Sequence, residues 1–159
     1  MESSKLQIPS AKEAPSSKLQ GEPETLGGWD EEVKFGAREM ILNDVGVEHP
    51  FDFEERTSIF GEAIIRLCKK LPRNPINDRL TGQLTGCGTS VGANYCEANE
   101  SVSKKDFRYS ISRCKKEAKE TKFFLRMIAA SEPDVASEAR KLYREATELM
   151  HILSAMHKK

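Results

Sequence analysis

The sequence predicts an all-α protein, an antiparallel up-down-up-down four-helix bundle with an acidic N-terminal arm in front of it. From residue 53 onward, apolar residues recur in alternating steps of four and three, the spacing of one helix face. No segment in this region alternates apolar and polar residues as a half-buried strand does, and the breaks between the apolar stripes are short. Helices joined by short loops pack beside their chain neighbours in antiparallel order, and the 4-3 stepping favours near-parallel axes.

The arm differs from the rest of the chain in composition and charge. Residues 1–50 carry five Lys and Arg against ten Asp and Glu, whereas residues 51–159 carry 20 against 15, so net charges of −5 and +5 cancel. Residues 1–28 are rich in Ser, Pro, Glu, Lys and Gly and hold too few apolar side chains to offset the entropy of ordering. We therefore interpret 1–50 as a largely disordered acidic arm with a short helix predicted over 30–42, and 51–159 as the bundle domain.

Each predicted helix begins at a residue suited to that position. Asp52 precedes the first helix, Asn74 and Pro75 open the second, Ser103 precedes the third and Pro133 opens the fourth. The four apolar stripes that should form the core are, in chain order, Phe53, Thr57, Phe60, Ile64, Leu67 and Leu71; Leu80, Leu84, Cys87, Val91, Asn94 and Ala98; Phe107, Ile111, Cys114, Ala118, Thr121, Leu125 and Ile128; and Val135, Ala139, Leu142, Ala146, Leu149, Leu153 and Met156.

The second helix contains four glycines, which are Gly82, Gly86, Gly88 and Gly92. Each Gly in a helix interior costs about 1 kcal/mol relative to Ala, so a compensating interaction is required. Close approach of a neighbouring helix or of another subunit would supply it. The alternative is a poorly formed helix, or a loop, at Gly86–Gly88.

No arrangement of side chains typical of an enzyme or a metal site is visible. The four cysteines are Cys68, Cys87, Cys96 and Cys114. They form no Cys-x-x-Cys pair and have no His near them in sequence, so we expect buried thiols rather than a zinc site or disulfides. Glu117 and Glu120 share a helical turn but lack the Glu-x-x-His pattern of a di-iron bundle. We predict a protein that is not an enzyme and has no catalytic residue, cofactor or metal.

Composition points to a soluble chain. No apolar run approaches the roughly 18–20 residues that a membrane span needs. The first residues, Met1 to Lys5, lack the basic and then apolar layout of a signal peptide. We expect a cytoplasmic protein without a membrane partner.

The third helix carries the one directional signal, nine bases and three acids between Lys104 and Arg126. At about 100° per residue, five of the bases fall within an arc of roughly 60° beside the apolar stripe, and the acids fall on the far side. These five, called the basic stripe below, are Arg108, Lys115, Lys119, Lys122 and Arg126. A one-sided row of cations can follow a phosphate backbone, whereas the plainer interpretations are a solvated helix face or a surface for an acidic protein.

Four large side chains on the same helix lie off its apolar stripe. They are Tyr109, Phe123, Phe124 and Met127. A four-helix bundle need not bury them, so they favour packing against the predicted N-terminal helix or against another subunit.

Several short motifs occur in a familiar order. They are residues 51–57, Leu71-Pro72, Gly88 to Tyr95, Glu97-Ala98 and Ser103 to Phe107. Across 51–156 the sequence resembles the bacterial four-helix bundle family named for proteins encoded in intervening sequences of 23S ribosomal RNA genes. It is also similar to the accessory variability proteins of diversity-generating retroelements.

That resemblance implies a non-enzymatic bundle that assembles into a ring-like homopentamer with a basic surface. In the retroelement relatives this surface is associated with nucleic acid and a reverse transcriptase. The resemblance also implies a structural role for Gly88 to Tyr95. The arm departs from the short family members, and an arm folded back on the basic helix would screen nucleic acid.

These observations predict a homo-oligomeric scaffold that binds RNA or DNA through the basic stripe without reading bases, and the resemblance adds a reverse transcriptase as a partner. The alternative is a protein-interaction adaptor that uses the acidic arm and the exposed aromatic side chains and binds no nucleic acid.

Overall fold

The computed structural model describes residues 52–158, which form four α-helices. The helices are α1 (Phe53–Lys70), α2 (Pro75–Asn99), α3 (Lys104–Ser131) and α4 (Ala136–Lys158). The predicted arm at 1–50, with its helix over 30–42, lies outside the described residues. Within residues 52–158, no helix has the length and apolar character that crossing a membrane requires.

The helices pack in the order of an up-down-up-down bundle. α3 lies between α2 and α4, with extensive contacts to both, while α1 packs mainly on α2 and less extensively on α4. No strand occurs between residues 52 and 158. The predicted fold class is therefore confirmed.

The predicted helix starts are confirmed for the first three helices. Side-chain oxygens of Asp52, Asn74 and Ser103 each accept hydrogen bonds from backbone N–H groups two or three residues later, at 2.8–3.1 Å. Since the first N–H groups of a helix have no intrahelical acceptor, these bonds stabilise the helix ends. The fourth helix differs, because Pro133 opens a short 3-10 turn and α4 begins only at Ala136.

The four apolar stripes meet in one continuous core. Leu80, Phe107, Val135 and Met156, at the ends of their stripes, are partly buried and pack against it, and every other stripe residue is buried. The buried hydroxyls of Thr57 and Thr121 are each satisfied by a backbone carbonyl three or four residues earlier, at 2.9 and 2.8 Å.

Asn94 is the polar exception in the core. It is 2% exposed, and its side-chain amide makes no hydrogen bond to any residue in the part of the chain that the structure describes. Leaving such a group unpaired costs about 1–3 kcal/mol.

A buried amide also connects one end of the bundle. The Asn77 Nδ2 group donates to the Pro72 carbonyl at 2.9 Å and to Glu132 Oε1 at 2.7 Å, and its Oδ1 accepts from Ser131 Oγ at 3.0 Å. These bonds tie the α1–α2 connection to the C-terminal end of α3.

Two of the four α2 glycines are explained by the approach of α1. A Cβ atom at Gly88 would lie 2.9 Å from Cγ2 of Ile64, and one at Gly92 would lie 3.3 Å from Oγ1 of Thr57. At Gly82 and Gly86 a Cβ would meet nothing within 4 Å. The helix is continuous through all four, so the alternative of a loop at Gly86–Gly88 is wrong.

The two kinds of glycine should respond oppositely to alanine. Gly86→Ala should raise the free energy of unfolding by about 1 kcal/mol, because it gains helix propensity in open space. Gly88→Ala should lower it by about 1–3 kcal/mol, because the new methyl group displaces Ile64. Urea denaturation of the two variants measures both. Stabilisation by Gly88→Ala equal to that by Gly86→Ala would show that close approach does not set the α1–α2 spacing.

Candidate nucleic-acid interface

The basic stripe lies along α3 beside its border with α4. It runs from Arg108 to Arg126, which at about 1.5 Å rise per residue is a row roughly 27 Å long. The border is marked by Lys122, whose Nζ atom lies 4.6 Å from the ring centroid of Tyr143 on α4. This cation–π contact fixes one member of the stripe against the neighbouring helix.

The stripe is accessible in the single chain. Arg108, Lys119 and Arg126 are exposed, and Lys115 and Lys122 are half-buried. Three of the five form no ion pair within residues 52–158, namely Arg108, Lys115 and Lys119. No carboxylate of the bundle therefore neutralises these three cations.

The carboxylates of α3 lie on the other side of the helix. Glu117 and Glu120 approach Cys87 of α2, where their charges add to burial in raising the pKa of that thiol. Burial, and then the charge of Glu120, raises the pKa of the Glu117 carboxyl. Arg113, a cation on this α2-facing side, pairs with Glu97 of α2 at 2.7 Å. The packing thus places Glu117 and Glu120 toward α2, away from the border with α4.

Sequence reasoning missed the contribution of α4 to this surface. Tyr143 is buried beneath Lys122. Arg126 follows Lys122 by one helical turn, and Arg140 precedes Tyr143 by one helical turn. Because α3 and α4 run antiparallel, both arginines lie on the same side of the Lys122–Tyr143 contact, at a similar height along the bundle axis. Contacts between helices cannot be inferred from one helical wheel. The available signal was that Arg140 and Tyr143 each follow a residue of the fourth apolar stripe, Ala139 and Leu142, and so lie along one flank of it.

An open groove of about 540 Å³ lies on the other flank of the stripe, between α2 and α3. This α2–α3 groove is lined by Gln83, Lys116, Lys119, Glu120, Phe123 and Phe124. The Phe123 ring is 55% exposed and meets Phe124 edge to face, with centroids 5.2 Å apart. Tyr109 is 67% exposed, whereas Phe124 and Met127 are half-buried. The bundle therefore leaves two of the four off-stripe side chains largely uncovered.

The cysteines correct one prediction. Cys68, Cys87 and Cys114 are buried, as expected, but Cys96 is exposed. Nine residues separate Cys96 from Cys87, and nine residues turn a helix by about 900°, which places the two on opposite faces. Within residues 52–158, no three His, Cys, Asp or Glu side chains cluster closely enough to hold a metal ion.

Comparison with known proteins identifies the family. The model of the 23S rRNA-intervening sequence protein family matches residues 52–155, which is most of the bundle. The chain belongs to this family.

One similar solved structure is that of a protein of unknown function from the S23 ribosomal protein family of Bacteroides thetaiotaomicron VPI-5482. It is 26% identical to this chain, with a TM-score of 0.59, and the match covers 67% of this chain and 98% of the other. No curated protein matches the chain.

Thiol labelling should distinguish the four cysteines. Treating the native protein with a maleimide should modify Cys96 first, because burial raises the pKa of Cys114 to about 12 and also raises those of Cys68 and Cys87. Slight desolvation and the charge of Glu54 raise the pKa of Cys96 too, so its labelling should accelerate as pH rises. Mass spectrometry should find one rapid adduct in the native protein and four in denaturant. A Cys96→Ser variant that still gained a rapid adduct would contradict this assignment.

Proposed function

We propose that this member of the 23S rRNA-intervening sequence protein family is a non-enzymatic scaffold that binds the phosphate backbone of RNA or DNA through the basic stripe. The observation that carries the proposal is the one-sided charge of α3, with five cations in a row beside α4 and Glu117 and Glu120 turned toward α2. A row of about 27 Å matches roughly eight steps along a nucleic-acid strand at 3.4 Å each.

Binding of this kind would not depend on base sequence. Lys and Arg contacts to phosphates fix position and supply affinity but carry no direct sequence information. Reading single-stranded bases requires aromatic rings on which bases can stack. Tyr143, the ring on the α4 side of the stripe, is buried under Lys122 and offers no such face. Phe123 on the other flank is exposed, but stacking on a single ring tolerates any base.

Assembly into a homo-oligomer belongs to the same proposal. The family resemblance suggests a homopentamer, and the resemblance to retroelement accessory proteins suggests a reverse transcriptase as its protein partner. The composition suggests a cytoplasmic location. The exposed rings of Tyr109 and Phe123 and the open positions at Gly82 and Gly86 leave room for such contacts. Repeating the stripe around a ring would convert weak single contacts into avid binding.

A protein-interaction adaptor is the second candidate function. The aromatic floor of the α2–α3 groove favours it, because a half-exposed phenylalanine ring gains by contact with another apolar surface. The two functions respond differently to salt, since an apolar interface is not weakened by salt as phosphate contacts are.

Neutralising the stripe should abolish binding to nucleic acid. The variant R108Q/K115Q/K119Q/K122Q/R126Q should lose at least about 100-fold in affinity for duplex or single-stranded probes at low salt. For the unmodified chain, log affinity against log salt should fall with a slope of about −4.5 per chain on duplex DNA if all five cations contact phosphates. Fluorescence anisotropy with labelled RNA and DNA measures both quantities. Stability should change by about 1 kcal/mol or less, chiefly through the lost Lys122–Tyr143 contact.

A matched variant separates the stripe from net charge. R66Q/K69Q/R73Q/R79Q/K105Q removes an equal number of positive charges, five, from exposed positions outside the stripe. It should retain most of the affinity. Equal losses in the two variants would assign binding to net charge alone, and undiminished affinity in the stripe variant would rule out the stripe.

The oligomeric state can be measured separately. Sedimentation velocity should give a mass of five copies of the 17.9 kDa chain, independent of the stripe substitutions. A monomer at micromolar concentration would exclude the homopentamer while leaving the stripe proposal open to its own test.

A further inference from the structure

The α2–α3 groove combines an apolar, aromatic floor with a cationic rim. Its floor presents the Phe123 ring, 55% exposed, beside Phe124. Its rim carries Lys116 and Lys119, neither of which forms an ion pair within residues 52–158, although Glu120 also lines the groove. An apolar floor with cations beside it fits an aromatic side chain that is followed by carboxylates.

The chain itself carries such a segment ahead of the bundle. Trp29 is the only tryptophan in the sequence and is followed directly by Asp30, Glu31 and Glu32. With Glu22 and Glu24, the eleven residues 22–32 hold five carboxylates and no Lys or Arg. No other part of residues 1–51 joins an aromatic residue to consecutive acids.

The connection is long enough to reach the groove within one chain. Asn99 Nδ2 donates to Glu54 Oε2 at 2.9 Å, so α1 begins at the end of the bundle where α2 ends and α3 starts. From there to Phe123 is about 29 Å along α3. The 19 residues between Glu32 and Asp52 span up to about 65 Å when extended. They still span about 45 Å if residues 33–42, the part of the predicted 30–42 helix that follows Glu32, are helical.

We propose that the segment Trp29 to Glu32 docks into the α2–α3 groove of its own chain, with the indole against Phe123 and the carboxylates beside Lys116 and Lys119. Lys119 belongs both to this groove and to the basic stripe. The docked segment therefore competes with phosphates for that lysine and places negative charge beside the remaining cations. The docking is argued from the groove and the segment and does not require nucleic-acid binding. The competition with phosphates rests on the proposed function.

The single tryptophan reports docking without any nucleic acid. In the full-length protein, Trp29 emission should be blue-shifted and protected from acrylamide, and Phe123→Ala or the triple variant D30N/E31Q/E32Q should remove at least about half of that protection. Tyr109→Ala, which truncates an exposed ring of α3 outside the groove lining, should leave the signal unchanged. Circular dichroism of each variant confirms that the helices are retained.

Three outcomes would overturn the docking. The first is a Trp29 that is as accessible in the unmodified chain as in Phe123→Ala, and the second is an equal effect of Tyr109→Ala. The third is protection that returns when Phe123→Ala chains are unfolded and refolded together with excess Trp29→Ala chains, because Trp29 would then lie in the groove of a second copy. The competition is read separately, since Trp29→Ala should raise affinity for a labelled RNA or DNA about fivefold. Protection of Trp29 with no binding of nucleic acid to any variant would refute the proposed function and leave the docking intact. Unchanged affinity in a Trp29→Ala variant of a binding protein would refute the competition.

Discussion

α3 buries Ile111, Cys114, Ala118 and Leu125 between α2 and α4, and this burial fixes the direction of every other side chain on the helix. A helix flanked on two sides keeps only part of its circumference in water. Charges within that part face a ligand together, whereas charges at its edges meet a neighbouring helix. The pairing of Arg113 with Glu97 on one border and the contact of Lys122 with Tyr143 on the other mark those edges.

The contacts between α1 and the rest of the bundle are of two physical kinds. Against α2, the helix backbones approach closely because Gly88 and Gly92 have no side chains to separate them from Ile64 and Thr57. Against α4, where packing is less extensive, ion pairs contribute. Arg56 Nε lies 2.7 Å from Oε1 of Glu145, whose side chain is only 7% exposed. Removing the arginine would leave a buried carboxylate unpaired, which is far costlier than losing an exposed pair.

The repeating pattern of the sequence was sufficient to predict the fold, because burial of one stripe per helix depends only on spacing along the chain. The same reasoning located the caps at Asp52, Asn74 and Ser103, whose bonds are local. It did not predict the bonds of Asn77 or the burial of Glu145, since their partners lie on other segments and depend on how the helices are aligned. In the candidate site too, features of a single helix could be predicted from the sequence, whereas contacts between helices could not.

For that site, the direction of the five cations followed from one helical wheel. The adjoining surface of α4 and the groove against α2 required the packed structure. The exposure of Cys96 could have been predicted from the wheel, because its separation from Cys87 turns it away from the core.

The equal numbers of acidic and basic residues limit how a ligand can find the basic stripe. A neutral chain exerts little attraction beyond the Debye length of about 8 Å at physiological salt. Affinity for nucleic acid must then come from the charge at the stripe itself. A segment that changes the charge beside Lys119 therefore changes that affinity strongly. The arm carries the net −5 that balances the bundle, and it is joined to the bundle at α1. The overall charge is therefore zero whether the arm is near the stripe or far from it, but the charge that a phosphate meets at the stripe depends on where the arm lies.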